Sequence, residues 1–203
     1  MKERPILFSG PMVCAILQGR KTQTRRLRSL GLINQAPDNW ELMRQGALLG
    51  GWAATFGRAG SALGADDVMT IFCPYGAPGD RLWGRETWNC IDTGIKTQRR
   101  DWVRYRATDG DELHWRPSIH MPRWASRIDL DLTDVRVERV QSITPRDVVA
   151  EGIYHEPGEW GLDSDYTHLV KAFGTLWDDV NGAKPVGAWA SNPWVWALTV
   201  KRI

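Results

Sequence analysis

Apolar and polar residues alternate from position 128 to position 140, and this alternation constrains the fold more than any other feature of the sequence. Because successive side chains of a strand point to opposite faces, the pattern predicts one long strand with a buried face. The alternation changes register once, near Thr133 and Asp134, where a β-bulge would absorb an extra residue. The fold must therefore contain a sheet with a buried side.

Shorter patterns predict the elements that accompany this strand. Further strands are expected at residues 6–8, 81–88, 102–106 and 194–200. Helices are expected from Pro11 to a stop at Gly19, from a Thr144 cap to about Glu151 with Gly152 as the stop, and from Leu169 to Val180. Separated strands with few helices favour an α+β fold that is mainly β, and a barrel rather than a doubly wound sheet.

The length of the chain indicates a single domain. A chain of 203 residues can bury one sizeable core and is short for two independent domains. We therefore expect one domain over residues 1–203, with insertions at about 29–68, 89–111 and 154–168. The first of these contains repeated glycines without a sustained period, which is compatible with a hairpin and loops.

Charge and aromatic content leave two interpretations open. The formal net charge of +2 does not by itself indicate nucleic-acid binding, but basic residues cluster in residues 19–28, 96–106 and 114–127. Such clusters are compatible with solvated faces and with a surface that binds phosphate. Most of the 12 Trp residues are expected in the core, yet several lie beside Arg or His, where bases can stack.

Cysteine usage and the N-terminus indicate the compartment. Cys14, Cys73 and Cys90 are widely spaced, with no C-x-x-C pair and no His at metal-ligand spacing. Neither a disulfide framework nor a metal site is predicted, and no cofactor is expected. The N-terminal apolar run is short, and no segment approaches 18 apolar residues. These features favour the cytoplasm and no membrane partner.

The segment GRKTQTRR, residues 19–26, is the most specific candidate for chemistry. A helix that ends in Gly19 and continues as an extended segment would place the amine of Lys21 and the hydroxyl of Thr24 at the mouth of a cavity. The negative end of the helix dipole favours a protonated Lys21 unless burial outweighs it. A protonated amine would bind phosphate or a carbonyl oxygen, whereas a neutral amine could take a proton from Thr24. Lys21 could equally be an exposed lysine that follows a helix.

A second candidate is the strand that contains Glu86. Alternation places Leu82, Gly84 and Glu86 on one face and Trp83, Arg85 and Thr87 on the other, and it leaves open which face is buried. An inward Glu86 would be a second carboxylate for the pocket, paired with an arginine. An outward Glu86 would be ordinary strand surface.

The proline-stiffened loop around residues 116–124 is a candidate for substrate recognition. It carries cationic and planar side chains that can contact phosphate and stack on a base, namely those of Arg116, His120, Arg123 and Trp124. Alternatively, the loop packs over the sheet with Trp115 and Trp124 in the core.

Several of these segments together resemble the ASCH-domain family, and especially its larger members from bacteriophages and prophages. The similarity is carried by GRKTQTRR, PGDRLWGRETW, IDLDLTDVRVERV, AEGI and NPWVWALTV, which are spread over nearly the whole chain. Within it, Gly19, Lys21 and Arg26 match the G-x-K-x-x-x-x-R core of the family.

The resemblance implies a PUA-like β-barrel whose cleft faces RNA or a modified nucleoside. A small bacterial ASCH protein is an amidohydrolase that removes acetyl from the exocyclic amine of acetylcytidine, and its catalytic Lys, Thr and Glu match Lys21, Thr24 and Glu151. Other members are described as ribonucleases, and the domain was first proposed to bind RNA. A phage-encoded member would act in the host cytoplasm.

The chemistry of amide hydrolysis is compatible with these residue types. Thr24 could attack the amide or hold the attacking water, with Lys21 as base, Glu151 as proton shuttle and Arg26 as a partner for the oxyanion. The candidate substrate or RNA contacts are Arg20, Arg26, Trp83, Arg85, Glu86, Arg116, His120, Arg123 and Trp124. A noncatalytic RNA-binding module and a metal-independent ribonuclease that uses Lys21, Arg26 and His120 are the alternatives.

Overall fold

The structure is a computed structural model that describes residues 1–60, 67–90, 102–110, 114–153, 167–182 and 185–203. Its strands are β1 (Glu3–Leu7), β2 (Gln23–Arg26), β3 (Trp40–Leu48), β4 (Gly51–Arg58), β5 (Val68–Phe72), β6 (Arg81–Arg85), β7 (Trp88–Cys90), β8 (Val103–Tyr105), β9 (Asp129–Arg139) and β10 (Trp194–Arg202). Its helices are α1 (Gly10–Leu17), α2 (Arg106–Asp109), α3 (Pro145–Ala150) and α4 (Thr167–Asn181). The fold is mixed α+β and mainly β, as expected.

The central sheet has five strands in the order β1-β6-β9-β10-β2. β1 and β6 are parallel, and the other neighbours are antiparallel. β3, β4 and β5 form a separate antiparallel sheet, and β7 pairs with β8. The expectation of a barrel is not met among the described residues, because β1 and β2 are the two edges of the central sheet and do not pair with each other.

The long alternating segment is β9, as predicted, and its bulge lies at the expected residue. Asp134 pairs with Thr199 and Leu132 pairs with Val200, so Thr133 is the extra residue. The hydroxyl of Thr133 donates to the carbonyl of Thr199 at 3.1 Å. The register shift keeps the apolar side chains before and after it on the buried face.

Both faces of β10 are buried. Trp196 and Leu198 belong to the main core, which also includes Ile16 of α1, Leu130 of β9 and Phe56 of β4. Val195, on the opposite face, packs with Val148 of α3 and with Phe173 and Trp177 of α4. This double burial places α3 and α4 beside the β2 edge of the sheet, where the candidate site lies.

The predicted helix boundaries are largely confirmed. α1 ends before Gly19, which has the positive φ of +74° that suits glycine. α3 begins with a capping box between Thr144 and Asp147, with Pro145 in its first turn. Gly152 follows α3 with φ +91°.

Other expectations differ in detail from the structure. The strand expected over residues 81–88 ends at Arg85, and Trp88 begins a new strand that pairs with Tyr105. The first insertion contains the predicted hairpin, β3 and β4, and β5, which follows it from Val68, pairs with β4. Residues 91–101 and 154–166, which fall in the other two expected insertions, lie outside the described residues. In the described part of the chain, no helix is long and apolar enough to span a membrane.

Candidate active site

Lys21 is held in the junction between the ends of α1 and α3. The backbone N–H groups of Arg20 and Lys21 donate to the carbonyl of Ala15, at 2.8 and 3.1 Å. The N–H of Thr22 then donates to the carbonyl of Ala150 at 2.7 Å. These bonds satisfy backbone groups at the ends of both helices and turn the Lys21 side chain towards the end of α3.

Gly152 allows α3 to approach Lys21 closely. A Cβ atom at this position would lie 2.9 Å from Cβ of Ala15 and 3.0 Å from Cβ of Lys21. Both the positive φ and the lack of space therefore require glycine here. The contact brings the preceding residue, Glu151, next to the lysine.

Lys21 and Glu151 form a buried ion pair. Nζ of Lys21 donates to Oε2 of Glu151 at 2.6 Å and to the backbone carbonyl of Glu151 at 2.8 Å. The side chains are 1% and 6% exposed. Burial lowers the pKa of the Lys21 amine, and the charge of Glu151 opposes this shift. The net effect is a pKa below the ordinary value of a lysine amine.

Arg25 holds the other oxygen of Glu151. Its Nη1 lies 3.1 Å from Oε1 of Glu151, its Nη2 lies 2.6 Å from Oε1 of Glu138, and its Nη2 is 3.5 Å from Oδ2 of Asp147. The Arg25 side chain is completely buried, and its guanidinium carbon lies 5.9 Å from the ring centre of Phe173. Glu151 is therefore fixed from two sides.

Arg136 extends this network to the surface. Its Nε donates to Oε2 of Glu138 at 2.8 Å, and its Nη2 donates to Oδ1 of Asp147 at 3.2 Å. Burial raises the pKa of Asp147, but hydrogen bonds from Thr144 and the charge of Arg25 outweigh it, so the pKa lies below its usual range. Arginines and carboxylates thus alternate behind the candidate site.

Thr24 and Arg26 lie on the opposite face of β2 from Arg25. Nε of Arg26 donates to Oγ1 of Thr24 at 3.2 Å, and Nη2 of Arg26 donates to the carbonyl of Leu7 at 2.7 Å. The Arg26 guanidinium also lies 5.2 Å from the ring centre of Phe8. Because Thr24 accepts the bond from Arg26, its own hydroxyl hydrogen is not used in that contact.

A small cavity of about 70 Å³ lies between the β2 edge and α4. Its lining residues are Met12, Thr24, Arg25, Arg26, Leu27, Glu151, Phe173, Leu176, Trp177, Val180 and Asn181. Lys21 does not line the cavity itself but contacts Glu151, which does. Polar groups therefore form one end of the cavity, and apolar side chains of α4 form the other.

A larger hollow of about 410 Å³ shares part of this lining. Leu27, Val180 and Asn181 border both spaces, and Arg28 and Asn34 line only the larger one. The larger volume lies in the range of small-molecule sites, whereas the smaller space holds only a few atoms.

Glu86 is buried, but it lies away from the small cavity that Thr24 and Glu151 line. It is 2% exposed and lines a separate hollow between α1 and α2. Nε and Nη2 of Arg127 donate to its two oxygens, both at 2.9 Å. The inward, arginine-paired alternative for Glu86 is therefore the one observed, but its carboxylate does not join Lys21 and Thr24.

The structure does not bring the other candidate contacts to the small cavity. Arg85 and Arg123 both lie near the ring of the buried Trp83, with guanidinium carbons 4.7 and 5.8 Å from its centre. Arg123 also contacts the carboxylates of Glu3 and Asp129. Trp83 and Arg123 are thus structural in their described contacts.

The rest of the loop packs on Trp88 or faces solvent. Arg116 lies over the Trp88 ring at 5.4 Å, and Trp124 meets that ring edge-on at 6.0 Å. His120 is exposed. Arg20, which lies between α1 and β2 and not in this loop, is also exposed. It donates to Gln18 and to the carbonyl of Gly152. The packing alternative fits this loop only in part: Trp124 packs against the small cluster around Trp88, but Trp115 and Trp124 are half-buried and do not belong to the main core.

Sequence reasoning missed Arg25 and Glu138 as residues of the site. Both belong to unremarkable strand patterns, and their contact joins segments 113 positions apart. The basic run at residues 19–28 included Arg25 but gave no reason to separate it from its neighbours. Among the described residues, no three His, Cys, Asp or Glu side chains form a group that could hold a metal ion.

No protein-family model matches this chain, and neither does any curated protein or solved structure. The geometry of the site and the resemblance of its motifs are therefore the grounds for assigning a function.

Proposed function

We propose that this chain is an ASCH-type amidohydrolase with a PUA-like fold, and that it hydrolyses an N-acylated cytidine or a closely related modified nucleoside. The observation that carries the proposal is the buried pair of Lys21 and Glu151, which adjoins a cavity that Thr24 lines. A carboxylate and an amine that exchange a proton, next to a hydroxyl, are the groups that amide hydrolysis needs.

Lys21 acts as the base in this proposal. A neutral amine has two N–H groups and one lone pair. The two contacts with Glu151 use both N–H groups, so the lone pair is the part of the amine that remains to accept a proton. Burial, which lowers the pKa of Lys21, increases the fraction of this neutral form.

Thr24 is the nucleophile. Its hydroxyl oxygen attacks the acyl carbon, and its proton passes to Lys21. The C–N bond then breaks, and the leaving amine takes a proton that Glu151 relays from Lys21. Water hydrolyses the acyl-threonine ester, which releases the carboxylic acid and restores the hydroxyl. Arg26, already bonded to Oγ1 of Thr24, is close enough to stabilise the oxyanion.

The two adjoining spaces suit the two parts of such a substrate. The small cavity beside Thr24 and Glu151 has room for an acyl group of a few atoms, enclosed by Phe173 and Trp177. The larger hollow beyond Leu27 has room for the nucleoside. An amide that bridges the two spaces would place its carbonyl beside Thr24.

The test is hydrolysis of N-acetylcytidine, followed by chromatographic separation of cytidine. The unmodified protein is expected to turn over this substrate, and Thr24→Val, Lys21→Met and Glu151→Gln are expected to lower kcat by at least about 100-fold. Lys201→Met, which changes an exposed lysine of β10, is the matched control and should retain activity. Circular dichroism verifies that each variant is folded.

Salt dependence separates hydrolysis from the RNA-binding alternative. Turnover of an uncharged nucleoside should change little between 50 and 200 mM salt, conditions that weaken phosphate-based binding on the order of a thousandfold when several phosphates are contacted. If the unmodified protein shows no turnover but binds RNA in a steeply salt-dependent manner, the binding module is the correct function. Cleavage of RNA without added metal would indicate the ribonuclease instead.

A further inference from the structure

A hollow of about 580 Å³ lies on the other flank of α1 from the candidate active site. Its lining includes Ser9, Cys14, Glu86, Thr87, Arg106 and Ala107. Met12 of the same helix lines the small cavity instead. α1 therefore separates two spaces, and a molecule in one of them need not displace a molecule in the other.

The buried carboxylate of Glu86 is the feature of this hollow that the proposed hydrolysis does not use. Arg127 neutralises it through two bonds of 2.9 Å. Arg127 is itself fixed, because its guanidinium carbon lies 3.9 Å from the ring centre of Tyr105 and its Nη1 donates to Thr108. A carboxylate has about four lone pairs, so each oxygen of Glu86 can accept one further hydrogen bond.

Two hydroxyls border the same hollow. Within the described part of the chain, the side chains of Ser9 and Thr87 have no hydrogen-bond partner, and Ser9 does not cap α1 with its side chain. The thiol of Cys14, in contrast, already donates to the carbonyl of Ala107 at 3.3 Å. The hollow thus offers an acceptor on Glu86 and two hydroxyls that can donate or accept.

We propose that this hollow is a binding site for a neutral group in which an NH2 donor stands next to an acceptor. The NH2 would donate to Glu86, and the acceptor would receive a bond from Thr87 or Ser9. The group must be neutral because Arg127 already balances the charge of Glu86, and a second cation would be left uncompensated beside a carboxylate that is itself only 2% exposed. The volume lies in the range of small-molecule sites.

Two classes of molecule carry this arrangement, amino-substituted nucleobases and primary carboxamides. Isothermal titration with two matched pairs distinguishes them. Adenosine is compared with purine riboside, which lacks the amino group, and nicotinamide is compared with methyl nicotinate, which lacks the N–H donor. In at least one pair, the molecule with NH2 is expected to bind at least about tenfold more tightly, and the pair that discriminates identifies the class.

Substitutions of residues that line the hollow beside Glu86 test whether the ligand binds there. Thr87→Val keeps the shape and removes the hydroxyl, and Ala107→Leu fills space without touching the ion pair of Glu86 and Arg127. Both are expected to weaken the tighter ligand at least about fivefold, whereas Thr175→Val, an exposed threonine of α4, should not. Glu86→Gln is less suitable, because it leaves Arg127 without its charged partner.

The result is independent of the proposed hydrolysis. Lys21→Met should retain this binding while it loses turnover, and Ala107→Leu should lose this binding while it retains turnover. The proposal is overturned if neither pair discriminates, or if Thr87→Val and Ala107→Leu bind as tightly as the unmodified protein.

Discussion

Nζ of Lys21 lies 2.6 Å from Oε2 of Glu151, although the two residues are 130 positions apart in the chain. The pair is nearly inaccessible to solvent, and it joins the segment after α1 to the end of α3. Two charges removed from water are tolerated only when they compensate each other and their remaining hydrogen-bonding groups are satisfied. Here the backbone carbonyl of Glu151 and the guanidinium of Arg25 supply those further contacts.

Breaking this pair is therefore expected to reduce stability. Lys21→Met leaves Glu151 with Arg25 alone, and we expect it to lower the free energy of unfolding by about 3 kcal/mol. The double variant Lys21→Met, Glu151→Gln should lose less than the sum of the two single variants, because the second change removes the carboxylate that the first one left without its lysine partner. Urea denaturation measures all three variants.

The exposed Lys201→Met is the reference for this series, with an expected change within about 0.5 kcal/mol. Additive losses in the double variant would show that the two side chains contribute to stability independently, contrary to the geometry.

Local features of the fold could be predicted from the sequence. The strand at residues 128–140, its bulge at Thr133 and the capping box of Thr144 and Asp147 each depend on residues that are close together in the chain. The order of the strands, in contrast, does not depend on residues that are close together in the chain. β6 lies between β1 and β9, and β10 lies between β9 and β2, and these pairings are decided by burial across the whole sheet rather than by any one segment.

The same distinction applies to the candidate site. The sequence predicts that Lys21 and Thr24 lie close together, because Gly19 ends a helix and an extended segment follows. Thr24 and Arg25 are neighbours in a strand, so their side chains should point to opposite faces. This alternation does not predict that both side chains are buried, as the structure has them. Both are buried because α3 and α4 cover one face of the sheet near its β2 edge while the main core covers the other. That arrangement cannot be derived from residues 19–26.

Arg25 is expected to act as a positioning residue for Glu151. Arg25→Lys retains the charge but cannot reach Glu151, Glu138 and Asp147 together. If the proposed hydrolysis is correct, this variant should lower kcat by about tenfold to a hundredfold and leave KM nearly unchanged, because Glu151 is displaced while the substrate spaces remain.

Steady-state kinetics from pH 5 to pH 9 measure kcat and KM of Arg25→Lys and of the unmodified protein. Arg202→Lys changes an exposed arginine that bonds the carbonyl of Leu17, and it serves as the control. A variant that loses activity only through a higher KM, with an unchanged kcat, would indicate that Arg25 binds substrate and does not position Glu151.

Cys73 is expected to resist alkylation in the folded protein. Burial raises its pKa to about 11, although N–H groups of Tyr75 and Gly76 oppose the shift. At pH 8 the thiolate is then only on the order of a thousandth of the total, and the thiol is poorly accessible. Iodoacetamide labelling followed by peptide mass spectrometry should detect modification of Cys73 only after denaturation. Rapid labelling at pH 8 without urea would contradict the packing around this residue.

Asp147 is expected to make stability depend on pH in the acid range. Its pKa in the folded protein lies below the ordinary value of 3.8, because bonds from Thr144 and the charge of Arg25 outweigh the effect of burial. A carboxyl group with a depressed pKa stabilises the fold fully above its unfolded pKa, and this contribution is lost as the pH falls through the folded pKa. Asp147→Asn should therefore lower the free energy of unfolding at pH 7 by about 1–2 kcal/mol.

Below about pH 3 the difference between Asp147→Asn and the unmodified protein should shrink, since both then carry a neutral side chain at this position. Urea denaturation at pH 7, pH 4 and pH 2.5 measures the trend, with Asp179→Asn, an exposed aspartate of α4, as the control. A difference in the free energy of unfolding that is constant over this range would mean that the amide side chain of Asp147→Asn destabilises the fold for steric reasons. A difference that grows towards low pH would contradict the ion contacts of Asp147 with Arg25 and Arg136, because only a group that is charged in the fold loses its contribution on protonation.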